Sequence, residues 1–379
     1  MSDHPGPSFR GFDSAERPLV LIWELTQACA LACDHCRADA KLQRHPDELS
    51  TAEGKQLLED ASEFGEGQLV VLSGGDPLIR QDVEELIAYG TELGLRMTIT
   101  PSGTRSLTPH RIQRLADAGI KRMALSLDGA SAEAHDAFRG EEGSFDETVQ
   151  AIEDAKAAGI PVQINTTVCG QTIGELPAIR ELLRELGVVM WSVFFLVPIG
   201  RGQILDPIDP EEADAVMAWL NDVSQSEPFG LKTTEAPMYR RVTMQRRETM
   251  GEDAGSGSVG PRRRGGIVAG DGFAFVSHVG EMYPSGFLPK SAGNVRDQPV
   301  TEIYRDAPLF RSLRDRDQLK GKCGACPFKT LCGGSRSRAH AVFGDPLESD
   351  PLCPYVPEGY EGPMPWDSGY PAASPMDAD

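Results

Sequence analysis

Residues 19–36, LVLIWELTQACALACDHC, join a short apolar run to three cysteines in one stretch of chain. The apolar run, 19–26, predicts a β-strand. Cys29, Cys33 and Cys36 follow it as C-x-x-x-C-x-x-C. Three closely spaced thiolates suit three irons of a [4Fe–4S] cube, which needs four ligands in all. The stretch therefore predicts a strand that leads into a metal site with one open coordination position.

Zinc is the alternative metal for these cysteines. Zinc sites take four ligands, commonly from C-x-x-C pairs, and His35 adjoins Cys36 too closely to face the same ion easily. Cys169 stands apart, and we expect it to be a small buried side chain. A second group consists of Cys323, Cys326, Cys332 and Cys353. Four thiolates can ligate either a complete second cluster or a zinc ion.

The composition is acidic, with 57 Asp and Glu against 37 Lys and Arg and a net charge of −20. This balance argues against a nucleic-acid partner, because phosphate binding needs clustered cations. The sequence lacks the ~20-residue apolar stretch of a membrane span and a signal-peptide pattern. We therefore expect a cytoplasmic protein with no membrane partner. In that compartment, eight cysteines are expected to bind metal rather than form disulfides.

Strands and helices are expected to alternate between residue 19 and about residue 237. Strand-like apolar runs lie at 19–26, 68–73, 96–100, 122–127, 162–168, 190–197 and 231–234, with helical patterns between them. Within these runs apolar and polar residues do not alternate cleanly, which indicates a parallel sheet that helices cover on its outer face. The sequence thus predicts an α/β fold, a partial (β/α)6 barrel that is TIM-like but open. Ligands bind at the C-terminal strand ends in such folds.

The remaining boundaries follow from composition. We expect a polar N-terminal segment at 1–18, the barrel at 19–237, a flexible linker at 238–270, a small cysteine-bearing domain at 271–357 and a disordered tail at 358–379. The linker prediction depends on the Gly- and Ser-rich stretch 249–266. Within the small domain, the pattern predicts a β-hairpin at 273–284 and a helix near 301–314.

A second motif, Ser73-Gly74-Gly75-Asp76-Pro77, ends the strand at 68–73. The glycines let the backbone approach a ligand, and a carboxylate there can accept from an ammonium group. With the cysteine motif one βα unit earlier, it resembles the radical SAM superfamily. In that superfamily the open iron binds S-adenosylmethionine, and a G-G-E-P element holds its amino group. Asp76 here stands in place of Glu, which shortens the side chain by one methylene.

The resemblance implies further contacts with S-adenosylmethionine. Cofactor-binding candidates are Gly74, Gly75, Asp76, Pro77, Ser102, Ser126, Asp128, Arg139, Asn165, Thr167 and Val197. Arg139 is expected to pair with the methionyl carboxylate, with a surface role as the alternative, and Val197 to pack on adenine. His35 occupies a position where the family commonly has an aromatic ring packed near the cluster. Cys29, Cys33 and Cys36 are the catalytic cluster ligands in this interpretation.

The second cysteine group resembles the C-terminal extension of the radical SAM/SPASM families. There the spacing C-x2-C-x5-C and a late cysteine hold an auxiliary [4Fe–4S] cluster. Complete SPASM domains carry more cysteines for an inner auxiliary cluster, but Ser285 and either Ser335 or Arg336 stand at those places here. Hydroxyl and guanidinium groups are poor iron ligands. The resemblance therefore implies two clusters in total.

The segments around Cys332 and Val197 look closest to the SPASM enzymes that modify tetrapyrroles on the siroheme-derived routes to heme and heme d1. The resemblance implies an oxidoreductase or lyase that forms a 5′-deoxyadenosyl radical and takes hydrogen from an iron tetrapyrrole, whose side chain is decarboxylated or removed. Arg201, Arg336 and Arg338 are candidate anchors for its carboxylates, with solvated surface arginines as the alternative. A low-potential donor such as a ferredoxin or flavodoxin is expected.

Other functions stay open on the sequence. One is a radical SAM maturase of a ribosomally made peptide or quinone cofactor, so the substrate is either a small molecule or a peptide. Another is a non-enzymatic electron-transfer protein with two clusters, which would need neither the glycine motif nor an open iron. A zinc-binding structural protein is the third.

Overall fold

The computed structural model describes residues 12–249 and 267–368 of the chain. Its strands are β1 Val20–Glu24, β2 Leu69–Ser73, β3 Arg96–Ile99, β4 Met123–Ser126, β5 Val162–Val168, β6 Met190–Phe195, β7 Gly230–Thr234, β8 Val268–Ala269, β9 Gly272–Val276 and β10 Met282–Tyr283. They form one sheet in the order β10-β9-β1-β2-β3-β4-β5-β6-β7, and β8 pairs with β9.

Helices connect and cover these strands. They are α1 Thr51–Ser62, α2 Val83–Glu92, α3 Pro109–Asp117, α4 Ala132–Arg139, α5 Ser144–Ala157, α6 Leu176–Leu186, α7 Pro210–Ser226, α8 Tyr239–Thr249, α9 Val300–Asp306, α10 Pro308–Arg314, α11 Gly321–Ala325 and α12 Arg336–Phe343. Each helix of the two described segments is too short or too polar to span a membrane.

The barrel part confirms the predicted α/β fold. Neighbouring strands from β1 to β7 are parallel and follow chain order. One set of alternate side chains packs against the helices: Trp23 lies on Gly54 of α1, and Met97 on Gly90 of α2, where an added Cβ would overlap either side chain. The other set faces inward and lines a cavity of about 2060 Å³. A closed TIM barrel fills these inner positions with side chains.

The C-terminal segment shares the barrel's sheet. Strand β9 pairs in parallel with β1, with Val20 opposite Phe273 and Trp23 opposite Val276. Strand β10 returns antiparallel to β9 and forms the predicted hairpin. The predicted boundary at residue 271 therefore runs through a continuous sheet.

Other predicted boundaries also need correction. Helix α8 occupies 239–249 of the predicted linker, and β8 lies near its end. Residues 250–266 of that range lie outside the described residues, as do 369–379 of the predicted disordered tail. A 3-10 helix, Pro365–Ser368, lies in the described part of that tail. The helix expected near 301–314 is two helices, because Pro308 cannot donate a backbone hydrogen bond within one.

A buried ionic contact connects β1 to the cysteine loop and to the C-terminal segment. Arg37 Nη2 lies 2.5 Å from Glu24 Oε2, and Arg37 Nη1 donates to the Gly286 carbonyl at 3.2 Å. His278 Nδ1 is 2.8 Å from the other Glu24 oxygen. The Arg37 guanidinium also lies over the Phe275 ring, 4.7 Å from its centre. Burial raises the pKa of Glu24, but Arg37 and His278 outweigh burial and hold that pKa below its ordinary value.

This contact predicts a pH-dependent stability. A depressed pKa means that ionised Glu24 stabilises the fold above its unfolded-state pKa and that this contribution is lost as the pH falls through the folded-state value. Glu24→Gln leaves Arg37 without its buried partner and should lower the free energy of unfolding by about 3–5 kcal/mol near pH 7. Urea denaturation at pH 7 and at a pH well below the unfolded-state value of about 4.3 should show that the difference from wild type shrinks at the lower pH, as Glu24 is protonated.

Glu85→Gln is the matched control for this comparison. Glu85 pairs with Lys55 at the surface, so the loss of this pair should change the free energy of unfolding by about 1 kcal/mol or less. A Glu24→Gln difference that is equal at both pH values would contradict the assignment.

Candidate functional site

The three N-terminal cysteines lie together in the loop between β1 and α1. Their side chains form one small cluster with Leu31; Cys29 and Cys33 are buried, and Cys36 is half-buried. Backbone N–H groups point at two of the sulfurs: Leu31 N is 3.4 Å from Cys29 Sγ, and Ala40 N is 3.5 Å from Cys36 Sγ. N–H donors of this kind stabilise thiolate ligands.

The loop favours the protonated form of two of these thiols, Cys29 and Cys33, when no metal is bound. Burial raises the pKa of both Cys29 and Cys33 above the ordinary thiol value. A positively charged metal centre reverses this preference, because thiolates are the ligating form. The donor set therefore fits three ligands of an iron–sulfur cluster, and its assembly releases protons.

The glycine turn after β2 is bonded directly to the cysteine loop. Gly75 N donates to the Thr26 carbonyl at 2.8 Å, and Asp76 N donates to the Ala28 carbonyl at 2.7 Å. Gly74 has φ +148°, and a Cβ at Gly74 or Gly75 would overlap these carbonyls. Only glycine allows this approach. The two sequence motifs thus meet through backbone contacts.

The side chain of Asp76 does not point where it was expected. Its Oδ1 accepts from Leu78 N at 3.1 Å, and Ser106 Oγ lies 3.4 Å from its Oδ2. The carboxylate caps the 3-10 helix Pro77–Ile79, since a short Asp side chain readily bonds to the backbone two residues on. Neither Asp76 nor Pro77 lines the cavity. The prediction that the Asp76 carboxylate faces the ligand is therefore corrected.

Most of the other predicted residues surround one space. The cavity of about 2060 Å³ is lined by Cys29, Cys33, Cys36, Gly74, Gly75, Ser102, Ser126, Arg139, Asn165, Thr167, Val197 and Arg201. The structure thus gathers the cysteine loop, the glycine turn and the C-terminal ends of β3 to β6 at one mouth of the barrel.

Asp128 lies just behind this wall, and one of its carboxylate oxygens accepts no hydrogen bond from the described residues. Its Oδ1 accepts from Thr167 N at 2.7 Å, while Oδ2 is buried with no hydrogen-bond partner in the described chain. Both His35 Nε2 and Arg139 Nη1 lie 3.9 Å from that oxygen. Arg139 also donates to the Ser102 carbonyl at 3.1 Å. Arg139 is therefore buried at the site rather than on the surface.

His35 packs as an aromatic ring beside the cysteines. It stacks on Phe138 with ring centres 4.8 Å apart and planes 8° from parallel. Burial lowers the pKa of His35 to about 4. The ring is therefore neutral near pH 7. Cys169 is fully buried in a separate apolar group with Phe138 and Leu196, which confirms the expectation of a small core side chain.

Arg201 supports the cysteine loop from the far side of the mouth. Its Nε donates to the Cys33 carbonyl at 2.9 Å, and its backbone N donates to the Cys36 carbonyl at 3.1 Å. Its Nη2 is buried without a hydrogen-bond partner among the described residues. This guanidinium has a donor left for an anionic ligand.

The second cysteine group surrounds a space of its own. Cys323, Cys326, Cys332 and Cys353 line a cavity of about 20 Å³. Donors point at the sulfurs: Gly334 N is 3.4 Å from Cys332, Asp350 N is 3.4 Å from Cys323, and Arg241 Nη2 is 3.9 Å from Cys353. Burial raises the pKa of Cys353 to about 12. Four sulfurs, N–H donors and a cation form a donor set that fits a fully ligated cluster.

The cysteine groups are arranged differently from the ligands of a single metal ion. Over residues 12–249 and 267–368, no three His, Cys, Asp or Glu side chains stand close enough to ligate one metal ion. In a [4Fe–4S] cube each cysteine binds a different iron, so its sulfurs are spaced more widely than the ligands of one zinc ion.

Arg336 and Arg338 are not at the cavity. Both side chains are fully buried. Arg336 Nη1 donates to the Pro346 carbonyl at 2.9 Å, and Arg338 pairs with Asp350 at 3.1 Å while donating to the Leu196 carbonyl. Their guanidinium groups hold the C-terminal segment together. The prediction that they anchor substrate carboxylates is wrong, because internal acceptors occupy their donors.

The two serines at the places expected for inner-cluster cysteines, Ser285 and Ser335, meet at one carboxylate. Ser285 Oγ donates to Glu235 at 3.1 Å and Ser335 Oγ at 2.6 Å, and a third serine, Ser337, donates to the same carboxylate at 2.9 Å. Glu235 has φ +55°, unusual for a residue with a side chain. Hydrogen bonds between Glu235 and these serines occupy the places where the inner-cluster cysteines were expected.

The sequence interpretation missed a set of polar residues deeper in the barrel. These cavity-lining side chains are Arg96, Arg122, Gln163 and Lys232. The signal was present in 96–100, RMTIT, where polar residues alternate with apolar ones. Period-two alternation marks a strand with one face away from the core.

Comparison with known proteins identifies the family of this chain. The Radical SAM superfamily pattern matches residues 23–183. An AdoMet-dependent heme synthase from Methanosarcina barkeri is 42% identical over 341 residues, 90% of this chain and 97% of that protein. A mycofactocin maturase from Mycobacterium ulcerans is 32% identical, and the match covers 92% of this chain and 90% of that protein.

A solved structure shares the fold. The crystal structure of Streptococcus suis SuiB bound to S-adenosylmethionine gives a TM-score of 0.69 at 17% identity, covering 90% of this chain and 78% of that chain. The chain therefore belongs to the radical SAM superfamily, as an enzyme related to those of heme synthesis.

Proposed function

We propose that this enzyme takes a hydrogen atom from a carboxylate-bearing side chain of an iron tetrapyrrole, which is then decarboxylated or removed. Decarboxylation of the side-chain radical breaks its C–COO⁻ bond, releases CO2 and leaves a C=C bond, and the one electron set free would pass to the proposed C-terminal cluster. Cys29, Cys33 and Cys36 would hold the [4Fe–4S] cluster, with S-adenosylmethionine at its open iron. When bound and reduced, this pair supplies methionine and a 5′-deoxyadenosyl radical that abstracts hydrogen.

The chain's own residues bind and orient these groups. The Gly74–Gly75 backbone, Ser126, Asn165 and Thr167 offer polar atoms to the cofactor's amino acid and ribose. Arg139 and Arg201 offer guanidinium groups to carboxylates. Val197 is buried at the same mouth and offers an apolar contact to the adenine.

One observation carries the substrate class, namely the size and lining of the cavity. Its volume of about 2060 Å³ exceeds the roughly 300–1,000 Å³ of ordinary ligand sites, so a macrocycle and S-adenosylmethionine fit together. Val20, Ile22, Val71 and Phe275 form an apolar wall suited to a flat ring. The 42% identity to a heme synthase, against 32% to a peptide-cofactor maturase, supports the same choice.

The C-terminal segment would hold a second cluster on Cys323, Cys326, Cys332 and Cys353, in a SPASM-like arrangement over 271–357. The Glu235–serine network supports the absence of an inner auxiliary cluster, because hydroxyl and carboxylate groups already satisfy one another there. We also propose a cytoplasmic location and a ferredoxin- or flavodoxin-like electron donor, because the cleavage needs a low-potential electron.

The decisive experiment tests substrate and enzyme class separately. The protein is reconstituted anaerobically with iron and sulfide, reduced with dithionite and supplied with S-adenosylmethionine and Fe-coproporphyrin III. We expect 5′-deoxyadenosine together with a decarboxylated porphyrin, identified by mass spectrometry. Formation of 5′-deoxyadenosine with unchanged porphyrin would reject the tetrapyrrole, and activity on a maturase-type peptide would favour the alternative.

Cysteine variants test the first cluster. Cys33→Ala should abolish 5′-deoxyadenosine formation, because even outer partners of metal ligands contribute about 10- to 100-fold and a direct ligand contributes more. Cys169→Ala is the matched control, since Cys169 is buried outside both cysteine groups. The assay is chromatography of the reduced reaction mixture. Retained cleavage in Cys33→Ala would contradict the ligand assignment.

Iron content tests the second cluster. The reconstituted wild type should bind about eight irons per chain, and Cys326→Ala about four, if each cysteine group holds one cube. Colorimetric iron and sulfide analysis measures both values. About four irons in the wild type, or an unchanged count in Cys326→Ala, would reject a cluster at the C-terminal cysteines.

A further inference from the structure

Three cations line the barrel cavity outside the cysteine loop and the glycine turn. Arg96 begins β3, Arg122 directly precedes β4, and Lys232 lies within β7. All three line the large cavity, where Arg96 and Arg122 are half-buried and Lys232 is exposed. Arg122 and Ser126 are four residues apart along one strand direction, a rise of about 13 Å. Arg122 therefore lies well below the mouth of the cavity.

These cations have no acidic partner within the described chain. Arg122 Nη1 lies 3.5 Å from Gln163 Oε1 and 3.5 Å from Met190 Sδ, and no ion pair joins a carboxylate to Arg96, Arg122 or Lys232 over residues 12–249 and 267–368. The fully buried Arg338, by contrast, pairs with Asp350. Like charges gathered inside a protein are unfavourable unless an anion joins them.

The electrostatics of the group agree with this geometry. Burial lowers the pKa of Arg122, and nearby Arg96 lowers it further. Lys232 is exposed to solvent, but partial desolvation by the surrounding barrel atoms, with Arg122 close by, lowers its pKa to about 8. In both residues the pKa is lowered by burial and by a positively charged neighbour. Perturbed ionisable groups in a cavity are typical of ligand sites.

Apolar side chains lie next to these cations along the cavity wall. Leu69 on β2 pairs directly with Arg96 on β3, and Val71 on β2 and Phe273 on β9 also line the cavity. A ligand that suits this lining has a broad apolar body and carboxylates at its edge.

We propose that Arg96, Arg122 and Lys232 form a carboxylate-binding subsite that holds the substrate's far edge, so that its opposite edge is presented at the cysteine loop. This inference rests on the proposed tetrapyrrole function and specifies how that substrate is oriented. Gln163 connects the subsite to the mouth, since its Nε2 donates to Asn165 Oδ1 at 2.8 Å. The three cations are positioning residues and take no part in radical chemistry.

The test compares binding of Fe-coproporphyrin III to reconstituted wild type, Arg122→Gln and Lys232→Gln by absorbance titration. Each substitution should raise the dissociation constant by about tenfold or more, as expected for a lost charged hydrogen bond. Arg105→Gln removes the same charge at an exposed site outside the cavity and should change binding by about twofold or less. Cleavage of S-adenosylmethionine without porphyrin should be the same in all variants.

Two further readouts exclude a merely structural role. Removing one of several like charges should leave the melting temperature of the ligand-free protein unchanged or raise it by a few degrees, whereas loss of a structural contact would lower it. The methyl ester of the same porphyrin lacks the carboxylates. Wild type should bind it more weakly than the free acid, and Arg122→Gln should bind both forms alike.

The outcomes separate the two proposals. If wild type converts the porphyrin and the variants bind it equally well, the subsite is wrong and the enzyme function stands. If wild type neither binds nor converts the porphyrin, the tetrapyrrole function falls and the subsite's ligand with it. Weaker binding by Arg122→Gln and Lys232→Gln, with normal stability and normal uncoupled cleavage, supports both.

Discussion

The pairing of β1 on both of its edges is the constraint on which the site depends. It bonds to β2 on one side and to β9 on the other, and its C-terminal end leads directly into the cysteine loop. Backbone bonds from Gly75 and Asp76 then fix residues 26–28 before the first cysteine. Because each contact is between main-chain groups in a sheet or turn, the loop has little freedom. A reactive cluster with only three ligands needs such a rigid support.

Local features of this structure were readable from the sequence, and long-range ones were not. The strand runs and cysteine spacing predicted the barrel and the N-terminal ligand loop, because periodicity and spacing act within a few residues. Two misjudgements have one cause: the sharing of a sheet by β1 and β9 and the burial of Arg338. Each is decided by partners that sequence order does not reveal. Arg338, for example, meets Leu196 across 142 positions.

Charge is distributed unevenly between the surface and the interior. The chain carries a net charge of −20, yet the inner wall of the barrel presents Arg96, Arg122 and Lys232 without acidic partners among the described residues. An acidic surface repels anions at long range, while cations that line a cavity attract them at short range. Selectivity for an anionic ligand is then exerted inside the cavity. An anionic ligand can still enter the cavity if it also has a large apolar area, because burying that area away from water is favourable.

The parallel contact between β9 and β1 has a consequence for the modularity of the chain. If the polypeptide were cut at the end of the barrel, β1 would become an open edge with unpaired N–H and C=O groups, a template for intermolecular strand addition. The catalytic half is thus not a freestanding unit to which an accessory half has been appended. Exchange of C-terminal halves between relatives would have to preserve this strand junction, which makes recombination elsewhere in the chain the easier evolutionary route.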